Sequence, residues 1–167
     1  MILSQKEVLK EMRKGKIKIE PFDLASLKSC AYDLSLDNEF AFPIKKTVRL
    51  EENIPIKDYF NQKVLSEVKL KPHEFILGIT KEKITLPEDI AGFLSGRSRF
   101  ARLGLQIHSS SNFIQPSCSN KQVFEIKNMG ANTIVLKPGL KVAQVIFMKV
   151  KGKGSYLGNF KFQEKII

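Results

Sequence analysis

Turn-forming residues interrupt the apolar sequence of this chain at short intervals, and that spacing favours an all-β body. Apolar runs fall at 17–19, 32–42, 64–70, 75–80, 90–94, 103–108, 123–126, 133–136 and 142–150, punctuated by Gly, Pro, Asn and Asp. Many short runs of this kind predict strands folded into a sandwich or a distorted, barrel-like jelly roll. Pro138-Gly139 suits the two central positions of a type II turn joining the last two runs. The N-terminus is the exception. Ser4 with Glu7 makes a capping box and Leu3 with Val8 a hydrophobic staple, while Val8, Leu9 and Met12 share a helical stripe that Gly15 ends. The stretch 44–63 is less regular and reads as a surface wrap. The tail 151–167 is polar and reads as a segment that frays.

Length and composition set further limits. A chain of 167 residues suits one domain, 1–167, and an apolar share of 43% marks a folded protein. No apolar stretch is long enough for a membrane span, and the first residues lack the core of a secretion signal. Cys30 and Cys118 are too few for a disulfide framework, so a reducing cytoplasm is the expected home. A formal charge of +11 calls for an anionic partner. Nucleic acid is the weaker reading, because the lysines are scattered rather than gathered into a patch with interleaved aromatics.

A more specific anion site lies between Gly96 and Leu105, where the chain reads G-R-S-R-F-A-R-L-G-L. Backbone N–H groups, the Ser98 hydroxyl and the guanidinium forks of Arg97, Arg99 and Arg102 can converge there on a polyphosphate. Pairing of these arginines with Glu88 and Asp89 is the plainer alternative. Downstream, 122–127 reads Gln-Val-Phe-Glu-Ile-Lys. Strand alternation puts Phe124 and Ile126 on one face and Val123, Glu125 and Lys127 on the other, so the Glu125 carboxylate points away from the apparent core.

The segment G-R-S-x-x-A-R-L-G-L-x-x-H, the I-x-P turn at 114–116 and the strand carrying Phe124-Glu125 resemble the dCTP deaminase family, which shares its trimeric fold with dUTP diphosphatases. Ala31-Tyr32-Asp33-Leu34-Ser35-Leu36 is similar to that family's Y-D-L-x-L strand. The stretch 136–147, with its G-x-x-x-A-Q run, looks like the family's last hairpin. The resemblance implies hydrolytic deamination of dCTP to dUTP and ammonia by a homotrimer with sites between subunits. Mg²⁺ is expected to arrive on the triphosphate. Glu125 falls at the family's catalytic glutamate, and Ser98 and Arg102 at active-site positions. Arg97, Arg99, Gln115, Val123 and Phe124 are placed among the substrate contacts. A C-terminal segment folding over the nucleotide would bring Tyr156 and Gln163 to it.

Deaminating cytosine at C4 requires water attack, protonation of N3 and loss of ammonia. Zinc deaminases do this with H-x-E and P-C-x-x-C signatures, but here the matching stretches read His108-Ser109-Ser110 and Pro116-Ser117-Cys118-Ser119. No protein-bound zinc is expected, and a carboxylate must carry the proton. His108 reads as a packed residue. Three positions depart from the family pattern: Arg99 replaces a second serine, Phe113 an arginine and Gln115 an aspartate. A neutral amide is a poor base, so deamination is favoured over diphosphate release. A dUTP diphosphatase, or a bifunctional enzyme giving dUMP, is the alternative. A catalytically silent nucleotide-binding relative is the third reading.

Overall fold

A computed structural model describes residues 1–167. Helix α1 spans Gln5–Arg13, and strands β1 (Lys18–Glu20) and β2 (Tyr32–Pro43) follow, with a 3₁₀ turn at Leu24–Ser26 between them. After a second 3₁₀ turn, Ile56–Tyr59, come β3 (Phe60–Val64), β4 (Val68–Leu70), β5 (Phe75–Thr85) and β6 (Ile90–Gly96). The single helical turn α2 (Ser98–Ala101) precedes β7 (Leu105–Gln106), β8 (Phe113–Ile114), β9 (Ser119–Asn128), β10 (Ile134–Leu136) and β11 (Lys141–Lys149).

All strand pairs are antiparallel, in the order β7-β9-β5-β2-β11-β6-β8, with β1 added to β5, β3 to β2, and β10 paired separately with β4. The sheet cannot stay flat. Register shifts interrupt β2–β5 between Leu36 and Phe40, and β5–β9 between Ile79 and Lys83. At 77–80, β5 lies between β2 and β9, whereas at 83–85 it lies between β1 and β9. Strands that exchange partners at bulges turn corners, which curls the sheet around one core. Tyr32, Leu34, Leu36, Phe40, Phe124, Ile126, Val145 and Phe147 fill that core and are essentially inaccessible. This is the mainly β, distorted jelly-roll architecture with one short N-terminal helix.

The helix follows its sequence signals in part. Ser4 caps it by accepting from Glu7 N, and Leu3 and Val8 both enter the core. The reciprocal half of the capping box is replaced by an ion pair of Glu7 with Lys10. Gly15 leaves the helix at φ +71°, the left-handed conformation a glycine adopts without steric cost. At the other end of the chain, Gly139 (φ +83°) and the Leu140 N–H···O=C Lys137 bond define the type II turn at Pro138-Gly139.

Several strand expectations need correction. β10 and β11 flank that turn without forming a hairpin: β10 pairs with β4, and β11 lies between β2 and β6. The run 64–70 divides into the end of β3 and all of β4, because Ser66 and Glu67 break it. The wrap 44–63 contributes β3, which pairs with β2. The run 103–108 yields only β7, and β5 continues past residue 80 to Thr85. That extension was hidden by charge, since Glu82 is buried where an apolar residue would signal a strand. Its carboxylate accepts from Ser35 N at 2.9 Å, beside Thr80, whose hydroxyl donates to Glu82 O and accepts from Gln122 N.

Burial pushes the Glu82 carboxyl above its ordinary value near 4.5. The folded state therefore holds this proton more tightly than the unfolded one. The stability it confers is complete below the ordinary value and is lost as pH rises through the raised one. Glu82→Gln, which keeps an acceptor for Ser35, should match the wild type below about pH 4 and melt higher near pH 8. Thermal melts across that range measure the difference. A Gln variant that is less stable at the alkaline end would show that the buried charge is itself favourable.

Candidate active site

β9 organises the site through its alternation. Asn120, Gln122, Phe124, Ile126 and Asn128 turn inward, while Lys121, Val123, Glu125 and Lys127 remain partly accessible on the other face. The backbone alternates too. Gln122 N–H points toward β5, at Thr80 Oγ1, whereas Ser119 and Lys121 donate in the opposite direction, to Lys161 O (2.9 Å) and Gln163 O (2.8 Å). By the same alternation the main-chain groups of Val123 and Glu125 face the outer edge, until β7 pairs with Lys127.

Glu125 lines a groove of about 980 Å³ together with His108, Phe113, Gln115, Val123, Tyr156 and Gln163. Its Oε2 accepts from Ser109 N (3.0 Å) and Ser110 N (3.3 Å), so the loop after β7 fixes one oxygen and leaves Oε1 without a hydrogen bond in the chain. His108 stands its ring edge-on to Phe124, with centroids 5.9 Å apart, and its Nδ1 is buried without a partner. Burial lowers its pKa, against the pull of the Glu125 charge. At neutral pH, His108 is therefore an uncharged wall beside the carboxylate. Cys118, also in the groove, has its thiol pushed up to about 11 by burial and is no nucleophile.

The candidate residues divide into two groups. Glu125, Gln115, Val123, Tyr156 and Gln163 come together in the groove. Phe124 does not offer its side chain, which is wholly within the core, so only its main chain could meet a ligand. Arg97, Ser98, Arg99 and Arg102 do not line the groove. The expected turn at 97–102 is in fact the helical turn α2, with Arg97 as its N-cap residue. Ser98, Arg99 and Arg102 are exposed. Arg97 instead reaches Asp33 Oδ2 (3.3 Å) and Lys141 O (3.0 Å). None of the three arginines pairs with Glu88 or Asp89, whose partners are Lys153, Lys16 and Lys149. Gly104 closes the turn at φ +89°, and a Cβ there would collide with the backbone of Gly130, so glycine lets the turn pack on the end of β9.

The tail lies docked on β9. Besides the two main-chain bonds to β9, Phe160 O accepts from Asn120 Nδ2 (2.7 Å), Glu164 pairs with Lys83, and Ile166 is buried with Ala41, Leu77 and Ile79. Phe160 and Phe162 line the groove, as does the segment around Ile54 and Phe60. Sequence reasoning missed these residues because no local pattern ties them to Glu125.

The curled antiparallel sheet with one short N-terminal helix is a fold of the class to which dUTPases and a dCTP deaminase belong. The chain belongs to the dCTP deaminase-like family, whose model matches residues 2–150. It is 34% identical over 177 residues to "dCTP deaminase, dUMP-forming" of Kocuria rhizophila, covering 98% of this chain and 91% of that one. The namesake of Mycobacterium avium is 36% identical over 156 residues, covering 90% and 81%. Among solved structures, the 2'-deoxycytidine 5'-triphosphate deaminase of Agrobacterium tumefaciens superposes with a TM-score of 0.71 at 17% identity. That match covers 90% of this chain and about half, 48%, of the other. A dUTPase from phage phi11 of Staphylococcus aureus gives 0.51 at 14% identity, covering 86% and 96%. At these identities both likenesses concern the fold. No helix is long and apolar enough to cross a membrane.

Beyond Gln163 the tail is held by the small Ile166 cluster, which is apart from the main core. Ile166→Ala should release the tail by local opening rather than unfold the domain. Hydrogen exchange at the Ser119 and Lys121 amides should then accelerate at least tenfold, the effect of losing about 1.4 kcal/mol, while the Phe124 amide stays protected. Equal acceleration at all three would mean that Ile166 supports the whole fold.

Proposed function

We propose that this protein hydrolyses dCTP at C4 of cytosine, releasing ammonia, with Glu125 as the proton carrier. The observation that carries this reading is Glu125 in the groove, held by two backbone N–H groups through one oxygen only. The free oxygen takes a proton from water as its oxygen bonds to C4. Glu125 then delivers that proton to N3, and the tetrahedral intermediate expels the exocyclic amine, which leaves as ammonia once a further proton has been transferred from the new hydroxyl. One water is consumed, and the ring becomes uracil. The outward main-chain groups of Val123 suit an edge-on pyrimidine, and Gln115 can bond a sugar hydroxyl. Tyr156 and Gln163 close the groove from the tail side.

The triphosphate, with Mg²⁺ bound to it as substrate, is assigned to Ser98, Arg99 and Arg102. These groups lie outside the groove of their own chain, which supports sites completed by a neighbouring copy in a homotrimer. The 19.0 kDa chain should therefore scatter light as a trimer. A stable monomer that retains full activity would rule out the shared site.

A second reading, continued hydrolysis of dUTP to dUMP, is favoured by the dUMP-forming deaminases among the relatives. Gln115 stands against it, since an amide cannot serve as a general base. Glu125→Gln should keep nucleotide binding and lower deamination by about 10²–10⁴-fold, the usual cost of removing a general base. Separating the products of wild-type protein incubated with dCTP, and then with dUTP, decides between the readings. Accumulation of dUTP is expected, and rapid conversion to dUMP would make the bifunctional reading correct. Wild-type turnover by Glu125→Gln would exclude Glu125 from the role.

A further inference from the structure

We infer that Asp33 is a positioning residue for the phosphate-binding turn, and that Arg97 is its clamp rather than a phosphate ligand. Asp33 lies in the buried start of β2, Tyr32 to Leu36, and is 3% exposed. A buried carboxylate needs a cation, and the geometry supplies Arg97 from across β11. Gln144 of β11 is the cross-strand partner of both Asp33 on β2 and Ser95 on β6, so these three side chains share one face of the sheet. Arg97, two residues beyond Ser95, continues that face. Its guanidinium spans β11, donating a hydrogen bond from Nη1 to Lys141 O at 3.0 Å and forming an ion pair with Asp33, Nη2 lying 3.3 Å from Oδ2. A register shift in β11 between Lys141 and Ala143 marks the place. Lys28 stands 3.9 Å from the same Asp33 oxygen, and Lys141 Nζ turns away to Asp23.

The clamp acts on the turn through the main chain. Arg97 is the N-cap residue of α2: its carbonyl accepts from Phe100 N and Ala101 N, both at 3.0 Å, and its N–H donates to Val142 O at 3.2 Å. Holding the Arg97 side chain to β2 and β11 therefore fixes where the first turn of α2 begins. That in turn sets the direction of the exposed groups of Ser98, Arg99 and Arg102. With both ends of its fork engaged, Arg97 is oriented into the sheet, not toward a ligand. A lysine could not replace it, because a single ammonium on a flexible stem cannot both bond Lys141 O and pair with Asp33 in this divergent geometry.

This inference rests on the assignment of the turn to the triphosphate, and the test separates the two. The variants are Asp33→Asn, Arg97→Gln, Arg97→Lys and the Asp33→Asn/Arg97→Gln pair, compared with wild type. The lysine variant keeps a counter-charge for Asp33 and guards against simple misfolding. The first readout needs no nucleotide: trypsin cleavage after Arg99 and Arg102, followed by mass spectrometry. Each single variant should be cut faster there than wild type, with sites outside 97–102 unchanged. The second readout is dCTP affinity by calorimetry together with the kcat and KM of deamination. Each single variant should weaken dCTP binding and raise KM by roughly tenfold with a smaller change in kcat, and the pair should be no worse than either single.

If Arg97 instead touches phosphate and Asp33 merely restrains it, Asp33→Asn will leave dCTP binding unchanged or tighten it, while Arg97→Gln weakens it. That result, or unaltered cleavage at Arg99 and Arg102, would overturn the inference. Wild-type protein that neither binds nor deaminates dCTP would refute the proposed function, whereas the cleavage pattern would still decide whether Asp33 holds the turn.

Discussion

The alternation of β9 is the constraint on which the rest of the structure depends. Its inward residues, Phe124 and Ile126, are part of the core, and its outward residues, Val123 and Glu125, form a wall of the groove. A one-residue slip against β5 would exchange the faces, burying the carboxylate and exposing the aromatic ring. Register is therefore shared between stability and chemistry. The Gly78↔Phe124 pairing helps to secure it, because a side chain at Gly78 would press within 2.9 Å of both Ile126 and Leu36. Packing of Phe124 sets the direction of Glu125 in the same step.

The readable parts of this fold were those in which local chemistry has one outcome. Alternation at 122–127, the glycine-ended helix and the Pro138-Gly139 turn each follow from residue type and spacing alone. The unreadable parts depend on a partner distant in sequence. Glu82 looks like a surface residue until β2 brings Ser35 N to its carboxylate, and strand β5 was cut short for that reason. Asp33 carried a usable signal, because a charge within Tyr32-Asp33-Leu34 must either face solvent or find a cation. Its partner Arg97 lies 64 positions on by residue number, beyond any local pattern. The groove was half legible. Glu125 and Gln115 could be located by motif, but the backbone donors Ser109 and Ser110 have no side-chain signature at all.

Electrostatics divide the cations of this basic chain into two kinds. Many are bound to acids of the same chain, as Lys16 and Lys149 are to Asp89, Lys121 to Asp37 and Lys141 to Asp23. Arg97 belongs with these, although its sequence neighbourhood suggested a ligand role. Arg99 and Arg102 enter no salt bridge and stay exposed, so their charge is available to an anion. Net charge alone would not have distinguished them. A guanidinium already facing a buried carboxylate contributes little field outside, whereas two unpaired ones beside a hydroxyl at a helical turn contribute strongly.

The outer edge of β9 is claimed from two directions, and the course of the tail shows why both claims can coexist. Lys161 O and Gln163 O occupy the donors of Ser119 and Lys121. Beyond Gln163 the chain turns to bury Ile166 against Ala41, Leu77 and Ile79, leaving the edge before it reaches the Val123 N–H. Two main-chain bonds and one buried isoleucine are small contributions beside the cost of ordering the tail backbone, so the tail is held by its own few contacts rather than as an extension of the core. A ligand that touched Tyr156 and Gln163 would favour the docked state by the energy of those contacts, while using the part of the β9 edge that the tail leaves open.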